Sequence, residues 1–354
     1  MIQKFCVSRD DSIYEAFPDL TLTADGRLLC VFEECTHHGN RDWTRLALTE
    51  SSDRGRTWSP KRALVGPTTG KPYWNCARIC TLRDGRIAAI ADYIGTDERS
   101  QDHHLLQNHL FISHDHGTTW DEPVLLPMQG IMPDKLIELS NGRWLISCHV
   151  KNSETDFLKV WLWHSDDQGK TWHGPVTVAD QEGLNLCEIS ILPVDDQVLV
   201  ALLRENSFKG WDGYKVISHD GGLTWGPPIA LPIPACHRPT AGWLNNGSAL
   251  ITCRLMQGGK GWVGTWTQNT LACLTDKESL LAETREGASM RILPLDFDRS
   301  PESDTGYTGW VQFDDGEIYV VNYILDDAPS AQIRGYSLHM EDFLLPTKTR
   351  VWKE

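Results

Sequence analysis

Hydrophobic and polar positions along this chain form short strand-like runs, and six segments pair two such runs around a central turn signal. The segments cover residues 17–32, 78–92, 133–149, 188–204, 238–254 and 307–323. Five have Asp-Gly or Asn-Gly at the centre (Asp25-Gly26, Asp84-Gly85, Asn141-Gly142, Asn246-Gly247 and Asp315-Gly316), and the fourth has Asp195-Asp196 instead. Each segment predicts a strand, a type I′ turn and a second strand. Six such hairpins predict six blades of a β-propeller.

A second repeat, the octapeptide Ser-x-Asp-x-Gly-x-Thr-Trp, begins at Ser51, Ser113, Ser165 and Ser218, with spacings of 62, 52 and 53 residues. A period of about 50 residues is that of a four-stranded propeller blade. In a hairpin turn the Asp accepts hydrogen bonds from its own backbone, the Gly supplies a positive φ, and the Trp packs on the blade. We therefore expect these Asp boxes to join the outer strands of blades one to four, and we assign no chemistry to them.

The two repeats together predict an all-β fold: one six-bladed propeller domain over residues 1–354, with four antiparallel strands in each blade. No amphipathic helical stretch of useful length competes with this pattern. Blade five has only a remnant of the box, near Asp276. Pairing of the N-terminal segment with the last blade, near Arg334 to His339, is expected to close the ring and hide its sheet edges.

Composition narrows the choice of partners. The formal net charge of −15 disfavours a surface that tracks nucleic-acid phosphates. The N-terminus has no apolar signal region, and no stretch approaches the length of a membrane span. The ten cysteines form no CxxC pair, which is typical of buried free thiols in a reducing compartment. We therefore expect a cytoplasmic protein that contacts neither membrane nor nucleic acid.

The ends of the innermost strands converge on one face of a propeller, so residues at these positions are candidates for a binding site. Around the six blades these residues are Tyr14 and Glu15, Asn75 and Arg78, Asp134 and Lys135, Glu188, His237 and Arg238, and Tyr307. Several cations that converge with carboxylates and a tyrosine indicate a pocket for an anionic small molecule.

Asp boxes on six blades resemble the sialidase (neuraminidase) superfamily over nearly the whole chain. In the fourth blade, Glu188 to Ile191, then Leu202 to Glu205 and then the box at Ser218 resemble the segment that carries the family's catalytic Glu and an active-site Arg. The resemblance implies that Glu188 and Arg204 have these roles.

Two further segments extend the resemblance. Gly306 to Gly309 is similar to the motif of the family's nucleophilic tyrosine, which implies Tyr307. Residues 32–42, followed by the box at Ser51, resemble the segment of the acid/base aspartate, which implies Asp42 as the proton donor. The chemistry is consistent, because a free phenol is a poor nucleophile until a base such as Glu188 removes its proton. Arg204 would stabilise the tyrosine or a substrate carboxylate.

The arginine clamp of the family is incomplete in this chain. Sialidases hold the substrate carboxylate with three arginines, the first in an Arg-Ile-Pro motif, and here that stretch is Tyr14-Glu15-Ala16-Phe17-Pro18. The third should precede Tyr307, where the chain has Arg254, Lys260, Arg285 and Arg291 without a recognisable frame. The candidate substrate-binding residues are therefore Arg204, Arg78, Lys135, Arg238, Arg254, Glu15, His37 and His237.

Thirteen histidines leave other interpretations open. Asp102, His104 and His109 form the one cluster that merits consideration as a metal site, but their spacing is not that of a metal motif, so we expect no metal and no cofactor. We favour an exo-glycoside hydrolase that acts on an anionic sugar. A polysaccharide lyase that uses His or Tyr on a uronate is the alternative. A second alternative is non-catalytic glycan binding through aromatic platforms (Tyr73-Trp74, Trp211 and Trp262).

Overall fold

The computed structural model describes residues 2–96, 102–131, 133–258 and 267–344. These residues form strands in the order β1 (Gln3–Ser8), β2 (Tyr14–Leu22), β3 (Leu28–His37), β4 (Asn40–Ser51), β5 (Arg62–Thr69), β6 (Tyr73–Thr81), β7 (Ile87–Ile94), β8 (Leu106–Ser113), β9 (Val124–Gln129), β10 (Ile137–Glu138), β11 (Trp144–Lys151) and β12 (Leu158–Ser165). The chain continues with β13 (His173–Ala179), β14 (Leu186–Pro193), β15 (Leu199–Glu205), β16 (Asp212–Ser218), β17 (Ile229–Pro234), β18 (Cys236–Trp243), β19 (Ala249–Gln257), β20 (Thr267–Thr275), β21 (Arg291–Phe297), β22 (Thr305–Gln312), β23 (Ile318–Ile324) and β24 (Gln332–Leu338).

These strands form six four-stranded antiparallel sheets, as predicted. Blades one to five each take four consecutive strands, from β2–β5 to β18–β21, and blade six combines β22, β23 and β24 with β1. The predicted closure is confirmed, because β1 pairs with β24 so that Gln3 lies opposite Ser337 and Cys6 opposite Arg334. The first and last parts of the described chain therefore share one sheet, which leaves the ring of blades without a break there.

The inner hairpins lie where the sequence predicts them, but the predicted type I′ turn is wrong. In blade one the Gly26 amide donates to the Thr23 carbonyl at 2.9 Å, and the Thr23 amide donates to the Arg27 carbonyl at 2.8 Å. Gly26 has a φ of +84°, whereas Asp25 is not among the residues of positive φ. This is a three-residue loop in which a type I turn is followed by a left-handed glycine, a combination that also matches the twist of the strands.

The four Asp boxes are structural, as expected, and they connect the third and fourth strands of blades one to four. In the first box the Gly55 amide donates to Ser51 Oγ at 2.8 Å, while the Thr57 amide and hydroxyl donate to the Asp53 carboxylate at 2.9 and 2.6 Å. The indole of Trp58 lies partly buried and donates to the Gly55 carbonyl at 3.2 Å. The bonds to Ser Oγ and to the Asp carboxylate recur in the other three boxes, so each turn satisfies its own backbone amides. The indole bond recurs in the fourth box, where Trp225 donates to the Gly222 carbonyl at 3.1 Å.

Helical structure is minor. In blade five the helix α1 (Lys277–Leu281) follows β20 in place of an Asp box, and Asp276 caps it by accepting from the Ser279 amide at 2.8 Å. The described residues also form short 3-10 segments at His103–Leu105 and Met340–Phe343. Among the described residues no helix is long and apolar enough to cross a membrane. All ten cysteines are free thiols, and eight of them are buried.

Five of the six inner strands contain a bulge at the same place, and these bulges position the site. At each bulge the pairing with the second strand shifts register, and one residue has a positive φ. The residues are Phe17 (φ +54°), Cys76 (+40°), Glu188 (+41°), Arg238 (+49°) and Tyr307 (+55°). A bulge bends the strand and redirects a side chain, and a non-glycine residue in this region is strained. The strain therefore falls on the inner strands, at Glu188 and Tyr307 among other residues.

Candidate active site

A cavity of about 840 Å³ opens at the centre of one propeller face, and residues from all six blades line it. The polar side chains of its wall include Tyr14, His37, His38, Arg41, Lys71, His149, Glu188, Arg204, Arg254, Gln268, Asp304 and Tyr307. A concave site with convergent charged groups is the usual form of a small-molecule site. The cavity lies at the inner-strand ends, where the sequence predicts a pocket.

Tyr307 and Glu188 are in direct contact in this cavity. The Tyr307 hydroxyl donates a short hydrogen bond to Glu188 Oε1, although the two residues are 119 positions apart in the chain. Glu188 Oε2 accepts from Arg204 Nη1 at 2.8 Å, and both side chains of this pair are at least nine-tenths buried. The phenol, the carboxylate and the guanidinium thus form one continuous hydrogen-bonded row.

The surrounding cations set the protonation of this row. Burial alone would raise the pKa of Glu188, but the guanidinium groups of Arg204 and Arg254 outweigh burial and hold that pKa well below its usual range. Burial and the adjacent Glu188 charge raise the pKa of Tyr307 well above its usual value. Because of both shifts the resting site holds a neutral phenol that donates to an ionised carboxylate.

Two more guanidinium groups lie around the Tyr307 ring. Arg254 lies 5.3 Å and Arg238 5.8 Å from the ring centroid. Arg254 lines the cavity. In the described part of the chain it bonds only neutral groups, which include Gln268 Oε1 at 3.3 Å and the Thr305 carbonyl at 3.5 Å. Its Nε is buried and has no hydrogen-bond partner among these residues. A buried cation with unused donors is suited to an anionic ligand.

A second polar cluster lies on the same wall, next to Tyr307 in the chain. The Asp304 carboxylate accepts from the Tyr14 hydroxyl and from His38 Nδ1 through Oδ2, and from the Tyr323 hydroxyl at 2.7 Å through Oδ1. Burial would raise the pKa of Asp304, but the bonds with His38 and Tyr14 outweigh burial and lower it. Phe17 lies between the two clusters, with its ring centroid 5.2 Å from that of His38 and 4.9 Å from that of Tyr307.

Three predicted substrate-binding residues lie elsewhere. Glu15 is fully buried between blades and is bonded by Lys61 at 2.5 Å, which also bonds the buried Glu34 at 2.6 Å. Arg78 is buried in the propeller centre, where it donates to the Thr308 carbonyl at 3.1 Å and contacts Asp19 at 3.4 Å. Lys135 is partly buried and does not line the cavity. Position at a strand end was not sufficient in these cases, because strand residues alternate between the two faces of a blade.

The remaining candidates divide between the cavity and its support. Arg204, Arg254 and His37 line the cavity. Arg238 lies behind Tyr307 and donates to the Pro133 carbonyl at 2.8 Å, and His237 is buried beside Arg254, with Nδ1 3.5 Å from its Nη2. These two residues therefore support the row of Tyr307, Glu188 and Arg204 from behind.

Asp42, which the resemblance implies as proton donor, is not among the residues that line the cavity. Its side chain is exposed and accepts from Asn40 Nδ2 at 3.0 Å. Two carboxylates that do line the wall are Glu302 and Asp304, and the sequence reasoning did not single out either. Asp304 is the one bonded to cavity residues, Tyr14 and His38. Its position three residues before Tyr307 was the available signal.

The possible metal cluster of Asp102, His104 and His109 does not assemble. His109 packs against Trp74, with ring centroids 5.1 Å apart, and no group of three or more His, Cys, Asp or Glu residues in the described ranges has metal-site geometry. Of the proposed aromatic platforms, Tyr73 lines the cavity and Trp211 is exposed. Lys260 and Trp262 lie outside the described residues.

The fold and the central polar cavity define a six-bladed propeller of the kind that carries a ligand site on its axis. The chain belongs to the family of BNR repeat-like domains, whose family model matches residues 26–320. Among curated proteins it is similar to a sialidase of Clostridium perfringens, with 24% identity over 246 residues. That match covers 61% of this chain and 61% of the sialidase.

Solved structures share the same fold. A protein of unknown function from Dyadobacter fermentans superposes with a TM-score of 0.74 and 20% identity, over 96% of this chain and 99% of that one. The Hadza microbial sialidase Hz136 superposes with a TM-score of 0.70 and 16% identity, over 93% of this chain and 66% of that one. At these identities the likeness concerns the fold.

Proposed function

We propose that this protein is a glycoside hydrolase that removes a terminal sugar bearing a carboxylate, with Tyr307 as nucleophile and Glu188 as its base. The observation that supports this most directly is the hydrogen bond from the Tyr307 hydroxyl to Glu188 Oε1 at the cavity wall. A general base must lie within hydrogen-bond reach of the proton that it removes, and Glu188 meets this condition. The similarity to a curated sialidase supports the same reaction class.

In the first step the Tyr307 oxygen attacks the anomeric carbon while its proton passes to Glu188, and the bond to the leaving oxygen breaks. Because Glu188 is a weak base beside three guanidinium groups, transfer of the proton and attack on the sugar are expected to occur together. In the second step water attacks the same carbon, and Glu188 returns the proton to the departing Tyr307 oxygen.

A neutral nucleophile suits an anionic substrate. A carboxylate nucleophile would repel a substrate carboxylate beside the reacting carbon, whereas a phenol carries no charge before it attacks. As the proton moves, the positive charges of Arg204, Arg238 and Arg254 near Tyr307 stabilise the negative charge that develops on its oxygen.

Arg254 is the proposed anchor of the substrate carboxylate, assisted by Arg204. Both side chains line the cavity, and the Nε of each is buried without a partner among the described residues. Planar guanidinium groups bind carboxylates through paired hydrogen bonds. Phe17 occupies the stretch where the family carries its first arginine, so the carboxylate is held by two arginines in this proposal.

A lyase is retained as a second candidate because Tyr14, His37 and His38 line the same cavity. A lyase would use one of them to remove a proton beside a uronate carboxylate. The two candidates differ in product, since elimination forms an unsaturated uronate that absorbs ultraviolet light and hydrolysis does not.

The test is a panel of aryl glycosides of 2-keto sugar acids and of uronic acids, together with uronate oligosaccharides. Released phenol and unsaturated product are measured in parallel, with neutral aryl hexosides as the control. The proposal expects phenol release from at least one acidic glycoside and none from the Tyr307→Phe variant. Unsaturated product that persists in Tyr307→Phe would instead establish the lyase.

A further inference from the structure

The hydrolase reaction also needs a group that protonates the leaving oxygen, and Asp42 does not line the cavity. We propose that His38 is this acid, and that Asp304 is the positioning residue that holds it. This assignment rests on the hydrolase function proposed above. It is carried by the cluster of Asp304, His38, Tyr14 and Tyr323 beside Tyr307.

Asp304 is fixed from three directions. Its Oδ2 accepts from Tyr14 and from His38 Nδ1, and its Oδ1 accepts from Tyr323. Its own amide donates to Asp298 Oδ2 at 2.8 Å. The carboxylate has little freedom to turn, so it determines which nitrogen of His38 points at it.

His38 is held on a short, braced turn. β3 and β4 meet at the pair His37 and Asn40, which leaves His38 and Gly39 at the tip. The Arg41 guanidinium donates to the carbonyls of His37, at 2.6 Å, and of His38. Arg41 also pairs at 2.8 Å with Glu33, whose side chain is fully buried. This chain of contacts ties the tip of the turn to the interior of blade one.

The ring of His38 faces the reaction region. It packs edge-on against Phe17, which packs in turn against Tyr307, and the His38 side chain is 39% exposed and lines the cavity. With Nδ1 bonded to Asp304, the other nitrogen, Nε2, has no hydrogen-bond partner among the described residues. The arrangement of a carboxylate, an imidazole and a reacting oxygen is the one by which enzymes orient a histidine for proton transfer.

The charged and titratable groups around His38 are Asp304, Tyr14, His37, Arg41 and Glu33. Asp304 is ionised, and Glu33 is paired with Arg41, so the nearest net charge that faces the ring is negative. Asp304 is thus the carboxylate that holds His38 in place, and Nε2 is the nitrogen left to exchange a proton with the substrate.

The proton balance closes over both steps. In the first, Nε2–H of the imidazolium protonates the leaving oxygen as the sugar bonds to Tyr307, and the alcohol departs. In the second, neutral Nε2 removes a proton from the attacking water, which restores the imidazolium. Asp304 stays ionised throughout and is not a proton donor.

A series of leaving groups separates an acid catalyst from a merely structural residue. We expect His38→Ala and His38→Gln to lose roughly 10²–10⁴-fold in kcat/KM on alkyl glycosides of the active sugar. On aryl glycosides with acidic phenols the loss should be less than about 10-fold, since such phenols leave without protonation. Azide added to either variant should give a glycosyl azide. Asp304→Asn should lower kcat on alkyl glycosides far more than on aryl glycosides with acidic phenols, with KM unchanged.

His114→Ala, at an exposed histidine of an Asp-box turn, is the matched control, and thermal unfolding confirms that each variant is folded. An equal loss on all leaving groups in both folded His38 variants would overturn the assignment. A loss in Asp42→Asn that is large on alkyl glycosides and small on aryl glycosides would also overturn it. If the unaltered protein releases no phenol from any acidic glycoside, the proposed hydrolase function fails first, and the role of His38 fails with it.

Discussion

Replacing Glu188 by Gln keeps the shape of the side chain and removes its charge, so it tests the centre of the site. The carboxylate accepts from both Tyr307 and Arg204, and the amide oxygen can accept from only one of them. Removing one partner of a buried ion pair costs about 3–5 kcal/mol. We expect the lower end, about 3 kcal/mol, because the amide oxygen retains one of the two bonds. For a chain of this length that loss lowers Tm by about 4 °C.

The effect on catalysis should be larger than the effect on folding. Loss of a general base lowers kcat by roughly 10²–10⁴-fold, which corresponds to about 2.7–5.5 kcal/mol in the activation free energy. The residual rate has a predicted pH dependence. The Glu188 charge raises the pKa of Tyr307, and Arg204 and Arg254 lower it, so the phenol of Glu188→Gln ionises more readily. The residual activity should therefore rise with pH.

The assay is kcat against pH for the unaltered protein and for Glu188→Gln, on the acidic aryl glycoside that the panel identifies. Near-ultraviolet titration of the phenol follows Tyr307 directly, with the double variant Glu188→Gln, Tyr307→Phe as the blank. An unchanged kcat would refute the role of Glu188 as base. A residual rate that does not change with pH would refute the electrostatic reasoning.

Other positions give further predictions. Lys61→Met leaves the buried Glu15 without its cation, whereas Glu34 keeps its pair with Arg45. It should therefore cost about 3–5 kcal/mol of stability in denaturant unfolding with kcat unchanged. The pKa of the Asp115 carboxyl is lowered to about 2, chiefly because this carboxyl accepts a hydrogen bond from the Thr119 hydroxyl. This bond therefore stabilises the fold above the unfolded pKa and ceases to do so as pH falls towards 2, so the Tm difference between Thr119→Val and the unaltered protein should vanish there. Arg254→Ala should raise KM about 10–100-fold for acidic substrates, since it removes hydrogen bonds to a charged group.

The fold was predictable because each sequence pattern that indicates it spans only a few residues. Each Asp-Gly or Asn-Gly turn and each Asp box forms its backbone hydrogen bonds within a few residues, so the sequence indicates them directly. The turn type was wrong because one more residue enters each loop than the dipeptide suggests. Counting the turns was enough to obtain the number of blades.

The site was only partly predictable, because it depends on contacts between blades. The resemblance implied Glu188, Arg204 and Tyr307, and these three lie together. Arg78 and Glu15 are charged strand-end residues whose partners come from neighbouring strands and blades, and no local pattern separates them from residues that face the cavity. Their burial follows only once the strands are in register.

Asp304 is a cavity residue that the sequence did not indicate, for the same reason. Three of its partners come from blade one and from the middle of blade six, so its place in the cavity depends on how the ring closes. Phe17 was read as the loss of an arginine, and its contact with both His38 and Tyr307 became visible only in the assembled propeller.

The central claim is that Tyr307 bonds covalently to the sugar. An acidic glycoside whose fluorine substituent slows the second step should trap this species, and intact mass followed by peptide mapping locates it. We predict one sugar adduct per chain, carried by the peptide that contains Tyr307 and absent from Tyr307→Phe. An adduct on another residue, or turnover of the same sugar by Tyr307→Phe at the rate of the unaltered protein, would contradict the account.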